Sequence, residues 1–222
     1  HMALDHLLAV LNIDVADFTV FDIRDGWGMR FDACKTTSLH YCLEGVGTLV
    51  VRGAVPIPLE PHTFLLLPPG VAYRIESASP KQIWLEHRTG ASTRKSASTL
   101  TVGEGQQGII TACGEIRVGL AGGSDLFTSM GDPLVVHFDG EDGLRDQFAM
   151  LLAESARPEV GSRVLNEAIL KQCLVIALRR WIELNASPLP STGVADTRLI
   201  RALHAIFERP AVAYTVDSLA AI

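Results

Sequence analysis

The side chains that could carry chemistry in this chain of 222 residues include four cysteines. Cys34, Cys42, Cys113 and Cys173 form no C-x-x-C pair and have no even spacing. This pattern favours free thiols in a reducing compartment over disulfides or zinc ligands. No Ser-His-Asp or Cys-His arrangement of a nucleophilic enzyme can be identified along the chain. The residue types therefore favour a binding function over catalysis.

Arg24 and Trp27 stand close together in the segment F-D-I-R-D-G-W-G-M-R-F. A guanidinium can anchor a carboxylate or a hydroxyl-rich ligand, and an indole ring offers a flat apolar wall. In the alternative interpretation, Arg24 pairs on the surface with Asp22 or Asp25, and Trp27 is an ordinary core residue. Both interpretations stay open.

The elements that must position these residues change in type near residue 140. Before that point, short β-like runs are separated by Gly and Pro, a pattern typical of a barrel or sandwich. After Asp142, one helix through Leu144 and Leu152 ends before Pro158, and Ser162 can cap a longer one. The predicted strands are Phe18–Ile23, Thr37–Leu43, Gly47–Arg52, Thr63–Leu67, Tyr73–Ser77, Ile83–His87, Gly108–Val118 and Leu134–Phe138. Arg88–Thr99 and Asn185–Ala195 have the composition of linkers.

Composition excludes several classes of function. The formal net charge of -6 argues against a nucleic-acid-binding face within these residues, because phosphate binding requires clustered Lys and Arg. No apolar run approaches the roughly 20 residues of a membrane span, and no charged-then-apolar leader begins the chain, so we expect a cytoplasmic protein. The pair His1-Met2 resembles an expression remnant.

Two consecutive segments resemble a cupin barrel: S-L-H-Y-C-L-E-G-V-G-T-L-V-V-R-G, from Ser38 to Gly53, and L-E-P-H-T-F-L-L-L-P-P-G-V-A-Y, from Leu59 to Tyr73. They are similar to the ligand-binding barrel at the front of AraC/XylS-type transcription regulators. The segments Ile109–Val118 and Leu178–Glu183 are also similar to a subfamily of these regulators. The resemblance implies a mixed β+α fold, a cupin-like (jelly-roll) β-barrel followed by an α-helical dimerisation segment. Expected domains are a barrel at 1–140, a helical segment at 141–190 and the start of a helix-turn-helix domain at 196–222.

Many cupins hold a metal ion, and the resemblance assigns its ligands to four positions. Counted from Gly45 and Gly70, these positions are occupied by Asp32, Cys34, Ser38 and Tyr73. None is a histidine, so we expect neither a three-imidazole centre nor any other cofactor. A soft metal bound by Asp32 and Cys34 is the alternative.

The same count orients the strand that contains Ser38. If Ser38 faces the barrel interior, alternation places His40, Cys42 and Glu44 inside and Leu39, Tyr41 and Leu43 outside, where the helices can cover them. The expected ligand-binding residues are therefore His40, Cys42 and Tyr73, joined by Arg24 and Trp27. The resemblance to arabinose-sensing relatives also assigns a ligand-holding arginine to Arg24. In the alternative, His40 and Cys42 are only packed or hydrogen-bonded core residues.

The predicted helix from Ser162 to Leu184 is apolar on all sides between Cys173 and Leu178. A helix that lies on one core needs only a single apolar stripe. We therefore expect a homodimer with Leu174, Ile176 or Leu178 in the interface, as regulators of this type commonly form. Burial within one chain is the alternative.

The last residues resemble the beginning of the helix-turn-helix domain of AraC/XylS-type regulators. Asp196 can cap one helix, Pro210 ends it, and Thr215 can cap a second helix before the sequence stops at Ile222. In that family the element that enters the major groove comes next. DNA binding is therefore expected only of the full-length protein.

These inferences together predict the sensing and dimerisation region of a DNA-binding transcription regulator that responds to a small organic effector and is not an enzyme. The alternatives are a cupin-class enzyme, such as an isomerase or oxygenase, and a structural dimerisation module with no ligand.

Overall fold

The computed structural model describes residues 12–78, 83–87, 99–119, 126–129, 131–138 and 143–185, together with Thr215 and Ser218. Within these residues eleven strands form two sheets. The strands are β1 Asn12–Arg24, β2 Trp27–Phe31, β3 Thr37–Gly45, β4 Gly47–Val51, β5 Ile57–Leu59, β6 Thr63–Leu67, β7 Tyr73–Ser77, β8 Ile83–His87, β9 Thr99–Val102, β10 Gln107–Gly119 and β11 Leu134–His137. A short 3₁₀ helix covers Leu126–Ser129, and two α-helices follow, α1 Leu144–Ala156 and α2 Ser162–Asn185.

The two sheets enclose an apolar interior. Sheet A has the strand order β11-β6-β3-β10-β1-β9, and sheet B has the order β5-β4-β7-β2-β8. The pairs β1–β9 and β2–β8 are parallel, and the other strand pairs are antiparallel. Buried residues from both sheets meet in one cluster, which includes Phe21, Leu65 and Val102 from sheet A and Met29 and Ile75 from sheet B. This is a cupin-like jelly-roll architecture, as the sequence predicts.

The outer face of sheet A is covered by the two helices. Leu39 and Tyr41 of β3 share a second buried cluster with Phe148 of α1 and with Leu170 of α2. The Phe148 ring stacks on Tyr41 at a centroid distance of 4.3 Å and meets the Phe18 ring edge-on at 6.3 Å. Because alternate residues of a strand point to opposite faces, β3 belongs to both cores at once. The predicted alternation of His40 and Cys42 inside with Leu39 and Tyr41 outside is observed.

The two helices form an antiparallel hairpin between residues 144 and 185. The chain leaves α1 before Pro158 and turns at Gly161, whose φ of 94° is costly for any other residue. The structure places Ser162 inside the first turn of α2, so it does not act as the expected N-cap. Its hydroxyl accepts the Glu159 N–H at 2.6 Å and donates to the Glu154 carboxylate, which joins the turn to α1.

All eight predicted strands are present, and three strands are additional. The runs Thr63–Leu67, Tyr73–Ser77 and Ile83–His87 match β6, β7 and β8, whereas β2, β5 and β9 were not predicted. Strand β2 follows the Asp25-Gly26 turn so closely that it reads as part of a loop, and β5 has only three residues. Glu44 was expected inside the barrel, but it is exposed and accepts a hydrogen bond from the Gln107 side chain.

The C-terminal expectations fall largely outside the described residues. These include the helix capped by Asp196 and, apart from their end residues Thr99 and Asn185, the two linkers. At Thr215 the predicted cap is observed, because its Oγ1 accepts the Ser218 N–H at 3.1 Å and the Ser218 hydroxyl accepts the Thr215 N–H at 2.8 Å. None of the helices in the described part of the chain combines the length and apolar content needed to cross a membrane.

Candidate functional site

A buried polar cluster lies inside the barrel where β3, β7 and β10 approach one another. His40 Nε2 lies 2.7 Å from the Tyr73 hydroxyl. Cys113 Sγ lies 3.5 Å from His40 Nε2 and 3.9 Å from the Tyr73 hydroxyl. Both His40 and Tyr73 are buried. We call His40, Tyr73 and Cys113 the interior triad.

Local turns fix the position of Tyr73. The chain reverses at Pro68-Pro69-Gly70, and Gly70 adopts a φ of 81°. The Gly70 N–H donates to the Cys34 carbonyl at 2.7 Å, which ties this turn to the loop before β3. Strand β7 therefore begins at Tyr73 with its side chain directed at His40.

The polar path continues from the interior triad toward the loop before β3. Ser38 forms a side-chain hydrogen bond with Tyr73 and lies 3.2 Å from Cys34 Sγ. The Cys34 thiol also donates to the Thr36 carbonyl at 2.9 Å. Five side chains thus form one connected polar path through the barrel wall and interior: those of Cys34, Ser38, Tyr73, His40 and Cys113.

Burial keeps the interior triad electrically neutral at physiological pH. Loss of hydration lowers the pKa of His40 from 6.5 to about 3. Burial also raises the pKa of Tyr73 well above its usual value and raises the pKa of Cys113. The imidazole therefore has one N–H donor and one acceptor nitrogen. Nε2 has partners, whereas the buried Nδ1 atom has none among the residues that the structure describes.

Aromatic rings pack around the triad. The Phe31 ring stacks on Tyr73 with a centroid distance of 4.7 Å and an angle of 9° between the planes. It meets His40 edge-on at 5.7 Å. A ligand that reaches the triad would therefore contact a flat aromatic surface as well as polar atoms.

Cys42 and Trp27 also face the interior, at a distance from the triad. Cys42 is two positions from His40 on the same side of β3, and burial raises the pKa of its thiol to about 12. Trp27 lies at one end of β2, whereas Phe31, the residue paired with Tyr73, lies at the other. The indole packs against the interior cluster and against Gly103, where an added Cβ would come within 2.2 Å of the ring.

Arg24 lies outside the barrel. Phe21 and Ile23 point into the interior cluster, so alternation directs Arg24 to the opposite face of sheet A, where it forms an ion pair with Asp22 at 2.9 Å. In the strand register, Arg24 lies opposite Gln107 of β10, and His40 lies opposite Cys113 of β10. Arg24 and His40 are therefore separated by about 20 Å along β10. The structure therefore does not bring Arg24 together with His40 and Tyr73, and the surface-pair interpretation of Arg24 describes its position.

Cys113 is the member of the triad that the sequence interpretation missed. It lies in the predicted strand Gly108–Val118 and, like Ile109 four residues earlier, is directed at the interior cluster. Its place beside His40 comes from the pairing of β10 with β3, which the sequence interpretation did not provide.

The described residues do not fit the metal centre that many cupins hold. Of the four positions that correspond to metal ligands, Asp32 is exposed, Cys34 and Ser38 are hydrogen-bonded to each other, and Tyr73 is hydrogen-bonded to His40. In the described part of the chain, no three His, Cys, Asp or Glu side chains are placed to share an ion. The Asp32 and Cys34 alternative has the same difficulty, because the Cys34 thiol is engaged within the protein.

The structure also corrects the expected dimer residues. Leu174 and Leu178 are only 1% and 4% exposed and belong to the core beneath the helices, so neither can form an interface. Ile176 is partly buried and lines an open groove of about 490 Å³ on the outer side of the helical hairpin. The groove is bounded by Gln147, Ala168, Lys171, Gln172, Val175, Ile176 and Arg179.

Comparison with known proteins gives one family. The profile of the cupin family matches residues 3–183. Among solved structures, fatty-acid-bound wild-type ToxT from Vibrio cholerae strain SCE256 is 12% identical, covering 95% of this chain and 68% of its own, with a TM-score of 0.40. ToxT from Vibrio cholerae O395 is 10% identical over 96% of this chain and 69% of its own, with a TM-score of 0.38. A DUF861 family protein from Thermotoga maritima is 10% identical over 53% of this chain and 89% of its own, with a TM-score of 0.21. No curated protein matches the sequence.

Proposed function

Because this chain belongs to the cupin family, we propose that it is the effector-sensing and dimerisation region of an AraC-type transcription regulator and binds its effector without transforming it. The assignment to AraC-type regulators is supported by the resemblance of three segments to this family: Ser38–Gly53, Leu59–Tyr73 and Ile109–Val118. Contact with DNA belongs, in this proposal, to the full-length protein.

The two-faced strand β3 is the observation that carries the proposal. His40 and Cys42 face the barrel interior, while Leu39 and Tyr41 pack against α1 and α2. A molecule that contacts the inner face of β3 is therefore separated from the helices by a single strand. If it binds one arrangement of barrel and helices better than another, it shifts the population of that arrangement.

The chemistry of the interior selects the class of effector. The triad is neutral, and the buried polar side chains of the described residues are those of Thr, Ser and His, with no Asp, Glu, Lys or Arg among them. A buried ion would thus lack a counter-charge, so we propose an uncharged organic molecule with an apolar body and one hydrogen-bonding group. That group contacts His40 and Tyr73, and the body extends toward Cys42 and Trp27. Arg24 is left out of this set because it lies on the other face of the sheet.

Native mass spectrometry of the purified chain tests this proposal. We expect a bound organic molecule of low mass, or failing that a raised melting temperature in a screen of neutral compounds. Tyr73→Phe should weaken binding of that compound by about 1 to 3 kcal/mol, because one buried polar group loses its partner. Val55→Ala, at an exposed residue before β5, is the control and should leave affinity unchanged.

The outcome also separates the proposal from a structural dimerisation module with no ligand. The dense packing of Phe31, Tyr73 and the other interior side chains favours that second candidate. One result would support the structural module and contradict a sensor: the parent chain binds no compound, and variants of His40 and Tyr73 lower the melting temperature.

We further propose that two copies of the chain associate through the outer face of α2. Leu165, Ala168, Gln172, Val175 and Arg179 follow one another at alternating spacings of three and four, the spacing of a helix-pairing seam. Ile176 borders this seam, and Leu165 is 44% exposed although it is apolar. Apolar side chains at such spacing are stabilised when a second helix covers them.

Light scattering tests the dimer. The parent chain should have the mass of a dimer at tens of micromolar, which is on the order of the concentration that populates even a modest complex. Ile176→Glu should give a monomer, whereas Val55→Glu, at an exposed apolar residue before β5, should leave the dimer intact. A monomeric parent chain would contradict the proposal.

A further inference from the structure

His62 has an unusual backbone conformation in the turn between β5 and β6. Its φ of 69° is the one positive value for a residue other than glycine among the residues described. The left-handed region is unfavourable for residues with a Cβ, and such residues persist where the surrounding contacts hold them in place.

Three hydrogen bonds hold His62 in this conformation. Its N–H donates to the Cys42 carbonyl at 2.9 Å, and its carbonyl accepts the Phe138 N–H at 3.2 Å. Its Nδ1 lies 2.9 Å from the Tyr41 hydroxyl. The strained residue thus joins β3 to the end of β11.

Tyr41 connects this turn to the helices. Its ring stacks on Phe148 of α1 at 4.3 Å with an angle of 9° between the planes, while its hydroxyl meets His62. Its neighbours along β3 are His40 and Cys42, which face the interior. A displacement of β3 therefore acts on the Cys42 carbonyl, on the Tyr41 hydroxyl and on the Phe148 ring at once.

We propose that Tyr41 and His62 form a latch that transmits displacement of β3 from the barrel interior to helix α1. While all three hydrogen bonds are made, the strained turn is held and Tyr41 is fixed against Phe148. When β3 is pushed outward, the bonds to Cys42 and Tyr41 lengthen, His62 relaxes, and the Tyr41–Phe148 stack loosens. In this proposal the turn passes between the strained arrangement and a relaxed one, as a switch requires. The biological use of the latch rests on the proposed sensing function, but the latch itself is a property of this chain.

Hydrogen exchange tests the latch without an effector. Cys42→Leu enlarges an interior side chain on β3 and pushes the strand outward. We expect the α1 amides to exchange at least about fivefold faster in Cys42→Leu than in the parent chain, after the change measured at the β10 amides has been divided out. This corrected ratio is the excess exchange at α1. Ile75→Phe enlarges the interior from sheet B and should produce no excess at α1. If Cys42→Leu does not fold, Cys42→Val replaces it.

The same substitution is then made in two backgrounds that open the latch. Tyr41→Phe removes the hydroxyl and keeps the stacked ring, and His62→Gly removes both the imidazole and the strain. In each background the excess exchange at α1 should fall below about twofold, because the connection is already broken. The latch is refuted if the excess persists in both backgrounds, if Ile75→Phe produces it equally, or if the Cys42 variant produces none. Because no effector is used, these results stand apart from a failure to find a bound molecule.

Discussion

Acidification should destabilise the fold through His40. Burial lowers the pKa of this imidazole to about 3, whereas in the unfolded chain it returns to its ordinary 6.5. Between these two values the unfolded state binds the extra proton, so stability present near pH 7 is lost as the pH falls below 6.5. At pH 5 the pH is about 1.5 units below the pKa of His40 in the unfolded chain. His40 alone should therefore reduce the free energy of unfolding by about 2 kcal/mol relative to pH 7.

Urea denaturation at pH 7 and pH 5 measures this loss. Other groups titrate over the same range, so the test is a difference between variants. His40→Gln keeps a hydrogen-bonding group for Tyr73 but cannot titrate, and its loss between the two pH values should be smaller than that of the parent by about 2 kcal/mol. His137→Gln, at an exposed histidine on the same sheet, should retain the parent's loss. Equal losses in the parent and in His40→Gln would refute the assignment of His40 as a buried neutral imidazole.

Three further outcomes follow from the packing and the donor set. Phe148→Ala should lower the free energy of unfolding in urea by about 3 to 5 kcal/mol, because its buried ring fills the space between α1 and sheet A; an effect no larger than that of Met150→Ala, at a half-exposed residue of α1, would contradict this. Gly103→Ala should destabilise the fold and alter the fluorescence of Trp27, since the new Cβ would meet the indole, whereas Gly105→Ala meets open space and should cost only the strain of its positive φ. Elemental analysis should find far less than one transition metal per chain, because the described residues provide no shared ligand set, and near-stoichiometric metal would overturn that.

The strands and helices could be predicted where the apolar pattern is long and bounded by Gly or Pro. Thr63–Leu67 is followed by Pro68-Pro69-Gly70, and its bounds were predicted to the residue. Strand β9 was missed because Leu100 and Val102 follow a polar stretch, and only its parallel partner β1 makes the pairing evident. Tertiary pairing of this kind leaves no local signal.

The candidate site could be predicted only in part. Alternation along β3 was sufficient to place His40 and Cys42 inside. It could not place Arg24, which lies on β1, nor show that Cys113 lies beside His40, because that contact comes from the pairing of β10 with β3. Because α2 is apolar on all sides near Leu174 and Leu178, the sequence predicts a subunit interface there. These two residues instead pack in the core. Sheet A and α1 together cover more of the helix surface than a single packing surface would.

The pairing of β1 with β10 has a consequence for how the chain acquires its structure. Phe18 of β1 is paired with Gly114, and β10 also lies between β1 and β3, so sheet A cannot close until β10 has been synthesised. Contacts between residues so distant in sequence carry a large loop-closure entropy, and proteins dominated by them fold in milliseconds to seconds, more slowly than helical bundles. Until the sheet closes, Phe148 and the other apolar residues of the helices have no complete surface on which to pack. During translation, the nascent barrel therefore exposes apolar strand edges before its helical cover is available, and in that interval it is most exposed to aggregation.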